Sequence, residues 1–369
     1  MIFFSSALTA ITPYVTTCSR WALLAVRVSI GLVHGLAYTL FMSIISKWSV
    51  RSEMARYLEV FSLAEETAPL ITAPFGAFLS ERVFFRGWPD IYYVYSLIGA
   101  VLLPIWMFVV TSAPQDHRWI HTSEMALIQE NPLAQQRRHT SIPWKKIVTS
   151  GPVLAMVTGS FCYSWFWSAA TVTLPEFYKN AFNIKLEQNG LFSAIPFLFS
   201  LVFSVFVAVI TDFVINAGIL STTTTRKLIL SFSLAGSSLL FVFSTFLDFP
   251  GHALLVCVIS LATGFTIMNR GCVALNIFDI APNYSGVLTA FSVTVFSLSQ
   301  ILQPSLAGFF IDGHASKVRY RQYYGILAGL MAVGIIVYTT FGSAEMQDWN
   351  NEEDVDEKTG KDEEEPFLQ

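Results

Sequence analysis

The chain has 369 residues, of which 53% are hydrophobic and only 13% are charged, and its mean hydropathy is +0.54. Because charged residues make up about 25% of an ordinary soluble domain, this composition excludes that class and indicates a polytopic membrane protein. The formal net charge of −4 comes from the C-terminal segment, where nine acids and two lysines lie between residues 352 and 365. The rest of the chain has no basic surface for nucleic acid.

Ten apolar blocks have the length of about 17 to 25 residues that a membrane-spanning helix needs. They cover residues 1–18, 21–46, 59–80, 91–111, 151–174, 189–211, 226–247, 252–275, 284–309 and 321–342. The first block follows Met1 without a charged n-region, so it is not typical of a signal peptide. The sequence therefore predicts an all-α integral membrane protein with about ten transmembrane helices.

One long polar interruption divides these blocks into four and six. Residues 112–150, which include QDHRW, QRRHT and PWKK, predict a central loop between an N-terminal bundle at 1–111 and a C-terminal six-helix bundle at 151–342. Residues 343–369 predict an acidic, disordered tail. Ten Lys and Arg residues lie on one side of this arrangement and eight on the other. Because the side with more Lys and Arg is usually cytosolic, this small difference weakly favours a cytosolic central loop and tail.

The second block carries an arginine and a histidine within the string VRVSIGLVHGLAY. At about 100° per residue, Arg27, His34 and Tyr38 lie on one stripe of a helix. Charged side chains inside a membrane usually line a bundle interior or a solute path, so the stripe predicts a polar cavity. In the alternative, Arg27, which is six residues beyond Trp21, reaches the lipid headgroups or a backbone carbonyl.

The sequence contains no pattern typical of an enzyme or a metal site. The four cysteines all lie in apolar blocks and have no paired spacing; they are Cys18, Cys162, Cys257 and Cys272. There is no glycine-rich phosphate loop, no His/Cys cluster with metal spacing and no nucleophile elbow. We therefore expect a protein that is not an enzyme and holds no cofactor.

Four strings carry a family resemblance: SKWSVRSEMARYL, DFVINAGILSTTTTRK, NIFDIAPNYSGVL and FGSAEMQDW. They resemble the cytosolic signatures of the branch of the major facilitator superfamily that contains sialin, the vesicular glutamate transporters and the type I sodium-phosphate cotransporters. The similarity runs from about Ser5 to Trp349. Members have twelve helices in two bundles, and the first block here is similar to their third helix. The resemblance thus implies an incomplete N-terminal bundle that lacks the first two family helices.

The resemblance implies secondary transport, by alternating access, of organic anions such as acidic sugars and acidic amino acids, or of phosphate. Arg27 matches the membrane-embedded arginine of the fourth family helix and would bind the anion through its planar, always charged guanidinium. Tyr38 and Tyr163, the latter in the string FCYSWFW, would orient the substrate. The alternative for the aromatic residues of this string is a role in packing or in the interfacial belt. Arg270 would add a second anion contact or, alternatively, reach the membrane surface.

Two features of the resemblance concern coupling and gating. Ile30 and His34 stand where sialin-like members carry glutamates, so standard proton coupling is in doubt, and coupling to H⁺ or Na⁺ stays open. His34 is either a proton-binding group or a neutral packing residue. Asp212 and Arg226 resemble a gating motif in which a carboxylate at a helix end pairs with basic residues at the cytosolic side. In the alternative, Asp212 is an acid at a helix end whose hydrogen bonds are satisfied locally, and it has no part in a gate.

The expected setting is the plasma membrane or a lysosomal or vesicular membrane, with a small anionic solute as the partner. A second interpretation is a truncated isoform or gene-model fragment that does not transport. The polar face of its first bundle would be uncovered, and such a chain would be unstable or would form a dimer with a full-length relative.

Overall fold

The structure, a computed structural model, describes residues 1–49, 54–81, 87–111, 113–130, 142–247, 252–311 and 316–351, without the side chains of a few helical residues such as Tyr38. Helices make up the regular structure of these residues, and no strand occurs among them. The all-α class predicted from composition is confirmed.

Among the described residues before position 110 there are five helices: α1 (Ile2–Cys18), α2 (Arg20–Gly35), α3 (Ala37–Trp48), α4 (Met54–Glu81) and α5 (Pro89–Val109). The Ser19 hydroxyl caps α2 by accepting the backbone N–H of Trp21 at 3.2 Å, which satisfies one of the free donors at a helix start. The block predicted as one helix at 21–46 is interrupted at Leu36. Gly35 directly precedes this turn, and glycine is about 1 kcal/mol less favourable than alanine in a helix interior.

The predicted central loop contains two short helices, α6 (Thr122–Glu130) and α7 (Trp144–Thr149). Six longer segments follow: α8 (Gly151–Ser168) with a π-helical turn (Ala169–Thr173) and α9 (Leu174–Phe182), then α10 (Leu186–Asn216), α11 (Thr222–Ser244), α12 (Ala253–Ile280), α13 (Ser285–Ile311) and α14 (Lys317–Phe341). Six described helices, α5 and α10 to α14, are long and apolar enough to cross a membrane. The breaks at Leu36 and in the π-helical turn divide two of the other predicted spans into shorter helices.

The chain forms two compact units. The first comprises Met1–Glu65 and Pro74–Arg137, and the second comprises Glu66–Ala73 and Arg138–Gln369. In the first unit α1 packs against α2 and α5, and in the second α12 packs against α8, α10 and α11. The central turns of α4 therefore belong to the second unit, although both ends of that helix belong to the first.

The second unit has a continuous core. Phe166 of α8, Phe241 of α11 and Tyr324 of α14 form a stacked column, with ring centroids 5.4 Å and 5.3 Å apart. All three side chains are almost completely buried. Each such aromatic pair contributes about 0.5–1.5 kcal/mol beyond its buried area, so the column joins three helices that are distant in sequence.

A buried glutamine stabilises the π-helical turn. Gln303 of α13 is fully buried; its Oε1 accepts the Ser168 hydroxyl at 2.8 Å, and its Nε2 lies 2.7 Å from Thr173 Oγ1 and 2.6 Å from the Tyr323 hydroxyl. Breaks in a membrane helix are tolerated where neighbouring side chains satisfy the local polar groups. This network gives the interruption of the α8–α9 segment such partners.

The C-terminal segment, residues 343–351, packs against the helix ends of the second unit. The backbone N–H of Gln347 donates to the carbonyl of Ile280 at 2.9 Å, and that of Ala344 donates to Thr223 Oγ1 at 3.0 Å. The predicted tail is thus bound as far as residue 351, and its remainder lies outside the described residues. Two of the signature strings, NIFDIAPNYSGVL and FGSAEMQDW, meet here.

Asn283 provides a test of membrane orientation, because Asn283-Tyr284-Ser285 is a glycosylation sequon. Its Nδ2 donates to the carbonyl of Asn350 at 3.0 Å, and a cytosolic position would also keep it from the glycosylation machinery. We expect no glycan there, so Asn283→Gln should not change electrophoretic mobility after expression in a glycosylating cell. Lys185→Thr, which completes a sequon at Asn183 three membrane crossings earlier, is the positive control. A sugar on Asn283 would invert the proposed topology.

Candidate functional site

Arg27 lies on an exposed side of α2 and contacts one tyrosine of α5. Its Nη2 donates to the Tyr92 hydroxyl at 2.7 Å, and its guanidinium carbon is 5.6 Å from the centroid of the Tyr92 ring. Both contacts are made with a neutral partner. Within the described part of the chain, no carboxylate lies within ion-pair distance of Arg27. The guanidinium is therefore oriented by Tyr92 while its charge is left available.

His34 lies two turns further along the same helix, about 10.5 Å at a rise of 1.5 Å per residue. Its Nε2 is 2.7 Å from Ser5 Oγ of α1, and the tautomer decides which of the two donates. A Cβ placed at Gly31, between the two residues, would meet no atom of the described structure within 4 Å. The stripe from Arg27 to His34 thus carries two polar groups with open space between them.

A continuous helix would place Tyr38 on the same stripe as Arg27 and His34. The turn at Leu36 places it in α3 rather than α2, so helical periodicity alone does not determine the face on which it lies. Its side chain is outside the described residues, and its role in orienting a substrate stays a prediction.

Tyr163 is packed between α8 and α13. It is only 6% exposed, and its ring centroid is 5.9 Å from that of Phe296 and 6.2 Å from that of Trp167. The adjacent Ser164 hydroxyl donates to the Phe296 carbonyl at 2.7 Å. These contacts support the packing role that aromatic side chains most often have, and substrate contact by Tyr163 stays a prediction.

The two predicted gate residues are not paired with each other in the structure. Arg226, at the start of α11, contacts Asp279, near the end of α12, with Nη2 and Nε 3.1 Å and 3.2 Å from Asp279 Oδ2. The two side chains are 7% and 26% exposed, respectively. Asp212 is exposed near the end of α10, and among the described residues it makes no ion pair. The acid that holds Arg226 is therefore Asp279.

Arg270 also contacts a carboxylate. Its Nη1 lies 3.4 Å from Glu66 Oε1, and the side chains of Arg270 and Glu66 are 23% and 2% exposed. The pair joins α12 to the central turns of α4. Arg270 therefore has a carboxylate partner inside the protein. The sequence predicts Arg270 as an anion contact but does not predict this partner.

The sequence does not predict the partners of the three arginines. Glu66 lies in the string LAEETAPL inside an apolar block, and an acid in such a block is the same kind of signal that marked Arg27. Asp279 lies in the signature string NIFDIAPNYSGVL, but the string does not indicate which basic residue it contacts. Tyr92 has no distinguishing signal, because tyrosine is common near the ends of membrane helices.

The chain is similar to known transporters along most of its length. The family model described as Major Facilitator Superfamily matches residues 1–304. Vesicular glutamate transporter 3 of Danio rerio is 27% identical over 368 residues, which are 97% of this chain and 61% of that protein. The probable small intestine urate exporter of Mus musculus is 27% identical over 357 residues, 95% of this chain and 70% of that protein.

Solved structures show the same fold. A crystal structure of a bacterial homolog of the human lysosomal transporter Spinster, in an inward-facing and occupied conformation, matches with a TM-score of 0.63 and 11% identity. The match covers 92% of this chain and 80% of the other. At this identity the likeness concerns the fold alone. The chain spans 61% of the length of the vesicular glutamate transporter that it matches.

Proposed function

The chain belongs to the Major Facilitator Superfamily, and we propose that it is a secondary transporter of small organic anions, or of phosphate, that works by alternating access. The family resemblance found in the signature strings is confirmed, and the relatives are membrane transporters rather than enzymes. Two relatives are named for glutamate and urate, and both solutes are anions near neutral pH. The negative charge that these two solutes share supports an anionic substrate for this chain.

The observation that carries this proposal is the contrast between Arg27 and two other arginines. Arg226 and Arg270 each contact a carboxylate of the protein, whereas Arg27 donates to a neutral hydroxyl. An arginine inside a membrane protein attracts an anion when its charge is not already matched. Of its five N–H donors, the contact with Tyr92 uses one, so the others are available to a carboxylate or phosphate in the two-point geometry that guanidinium favours.

His34 extends the proposed site along α2. It supplies a hydrogen-bonding group about two helical turns from Arg27 and is itself positioned by Ser5 at 2.7 Å. An acid with hydroxyl, amide or second carboxyl groups would use both positions, with the open space beside Gly31 between them. In this proposal Arg27 binds the charged end of the solute, His34 contacts its polar end, and Tyr38 orients it.

The proposed cytosolic gate includes Arg226 and Asp279. Their ion pair joins the start of α11 to the end of α12, within the second unit. Because Asp212 is exposed near the same end of α10, it offers a second carboxylate to basic residues when the helix ends move. The gate in this proposal is thus a set of charges at one end of the six-helix bundle.

The proposal is tested by uptake into proteoliposomes that contain the purified full chain. The labelled probes are L-glutamate, urate, N-acetylneuraminate and inorganic phosphate, with glucose and choline as neutral and cationic controls. We expect saturable, protein-dependent uptake of at least one of the anions, and we expect the other anions to inhibit it. Neither glucose nor choline should be taken up. Uptake of no anion, or uptake of glucose or choline alone, would contradict the proposal. Empty liposomes measure the leak.

A further inference from the structure

His34 lies on an exposed side of α2 and contacts a hydroxyl of α1. Its Nε2 is 2.7 Å from Ser5 Oγ, and the His34 side chain is exposed. From the sequence, His34 is either a proton-binding group or a neutral packing residue. An exposed ring whose contact is a polar hydroxyl is not packed in a core, so this position argues against the second role.

A serine hydroxyl can serve both protonation states of an imidazole ring. It donates to Nε2 when that nitrogen carries the lone pair, and it accepts when Nε2 carries a proton. A carboxylate in the same place could only accept and would favour the charged ring. Within the part of the chain that the structure describes, Ser5 is the one polar partner of His34. The contact can therefore persist while a proton binds to the ring and leaves it.

Arg27 and His34 lie about 10.5 Å apart along the axis of α2, and both belong to the first unit. Arg27 contacts the neutral Tyr92, so its charge acts on a proton at His34 while the site is empty. Two unit charges about 10 Å apart, at an effective dielectric constant of about 20, repel each other enough to change binding about tenfold. An anion bound to Arg27 cancels this repulsion. Binding of the anion and binding of the proton therefore favour each other, and by linkage the effect is reciprocal.

We propose that His34 is the proton-binding group of the transport cycle, so that one proton crosses the membrane with each anion held by Arg27. This inference rests on the proposed function. On one side of the membrane the anion binds to Arg27, and a proton from water binds to the His34 nitrogen that carries the lone pair. On the other side both leave, and the neutral ring keeps its contact with Ser5. For a monovalent anion, one positive and one negative charge cross together, so no net charge is moved.

Other charged or titratable groups lie on α2, on α1 and α3, and on α5, which reaches α2 through Tyr92. The amino group of Met1 is one helical turn, about 6 Å, before Ser5 on α1. The acid among these groups, Asp90, is 2% exposed near the start of α5 and has contacts within the protein. The remaining groups are Arg20 on α2, Tyr14 and Cys18 on α1, Tyr38 and Lys47 on α3, and Tyr93 and Tyr95 on α5.

The first test measures the accumulation ratio, which is the internal concentration of a labelled anion at steady state divided by the external one. The probes are L-glutamate, urate and N-acetylneuraminate, in proteoliposomes with the membrane potential held at zero. Wild type should accumulate a transported monovalent probe about tenfold for each unit of inward proton gradient, because one pH unit is a tenfold concentration ratio. His34→Gln should give a ratio near one at every gradient. The control His121→Gln replaces an exposed histidine directly before α6 and should match wild type.

The accumulation ratio separates coupling from folding. It is set by the coupled gradients, so a variant that folds poorly or binds the anion weakly reaches the same ratio more slowly. A purely structural role for His34 would therefore slow uptake and leave the ratio unchanged. If His34→Gln does not fold, His34→Asn replaces it and should also give a ratio near one. Inorganic phosphate, if it alone is transported, is judged by the same ratio for H₂PO₄⁻.

A second measurement needs no transport. Spectra of protein labelled with ¹⁵N at histidine distinguish neutral from charged imidazole, and the His34 signal is the one missing from His34→Gln. In a titration from pH 8 to pH 5, L-glutamate or urate should move the midpoint of this signal to higher pH by about one unit. Arg27→Gln should remove this effect of the anion.

Three results would overturn the inference: a ratio of His34→Gln that follows the pH gradient as in wild type, a wild-type ratio near one at every gradient, or a His34 midpoint that no probe anion moves. A His34 variant that moves no anion leaves the decision to the ¹⁵N spectra. If wild type transports no anion, the proposed function fails, and the spectra alone decide whether His34 and Arg27 bind a proton and an anion together.

Discussion

Replacing Asp279 by asparagine should lower the stability of the folded protein by about 1–3 kcal/mol, the usual loss when a buried hydrogen-bonding group is left without its partner. Arg226 is only 7% exposed and lies 3.1 Å from Asp279 Oδ2. Without the carboxylate, this largely buried guanidinium loses the partner that matches its charge. The pair also joins the start of α11 to the end of α12, so the loss should be accompanied by loosening of these helix ends.

The measurement is the midpoint of thermal unfolding of the purified protein in detergent. Asp212→Asn is the matched control, because Asp212 is an exposed acid of α10 and an exposed substitution changes stability by no more than about 0.5 kcal/mol. Exchanging the two partners, Arg226→Asp with Asp279→Arg, should recover part of the loss. Equal midpoints for Asp279→Asn and wild type would show that the ion pair does not stabilise the bundle.

Arg27→Lys should reduce the transport efficiency, kcat/KM, about tenfold to a hundredfold, since a hydrogen bond to a charged group contributes about 1.5–3 kcal/mol. Lysine keeps the positive charge but has no planar fork and cannot bind a carboxylate through two parallel hydrogen bonds. It also cannot reproduce the orientation that Tyr92 gives to the guanidinium at 2.7 Å. Initial rates of uptake of the transported probe anion at several concentrations give the comparison.

Arg20→Lys is the control for Arg27→Lys, because Arg20 is an exposed residue at the start of the same helix. It should transport like wild type. Tyr92→Phe removes the hydroxyl but leaves the ring, so its effect should be smaller than that of Arg27→Lys. If Arg27→Lys transports as well as wild type at equal reconstituted amounts, Arg27 has a structural role and the anion anchor must be sought elsewhere.

Local features of the sequence determined the fold class and most helix positions. Apolar length predicts spans such as 91–111 and 321–342, where the structure has α5 and α14. The structure begins α11 at Thr222, four residues before the apolar block at 226–247, where the Ser221 hydroxyl accepts the backbone N–H of Thr224 at 3.2 Å. The signature strings identified the family. These properties depend on composition and on neighbours within a few residues, which a single sequence contains.

Only the tertiary structure decided which partner each charged residue meets. The partners of Arg27, Arg226 and Arg270 lie 65, 53 and 204 residues away along the chain. Helical periodicity places a side chain on one face of its own helix, but it carries no information about which other helix packs there or at what height. The turn at Leu36, the π-helical turn held by Gln303 and the pairing of Arg270 with Glu66 all depend on packing between distant segments. For that reason the arginines were recognised from the sequence, and their partners were not.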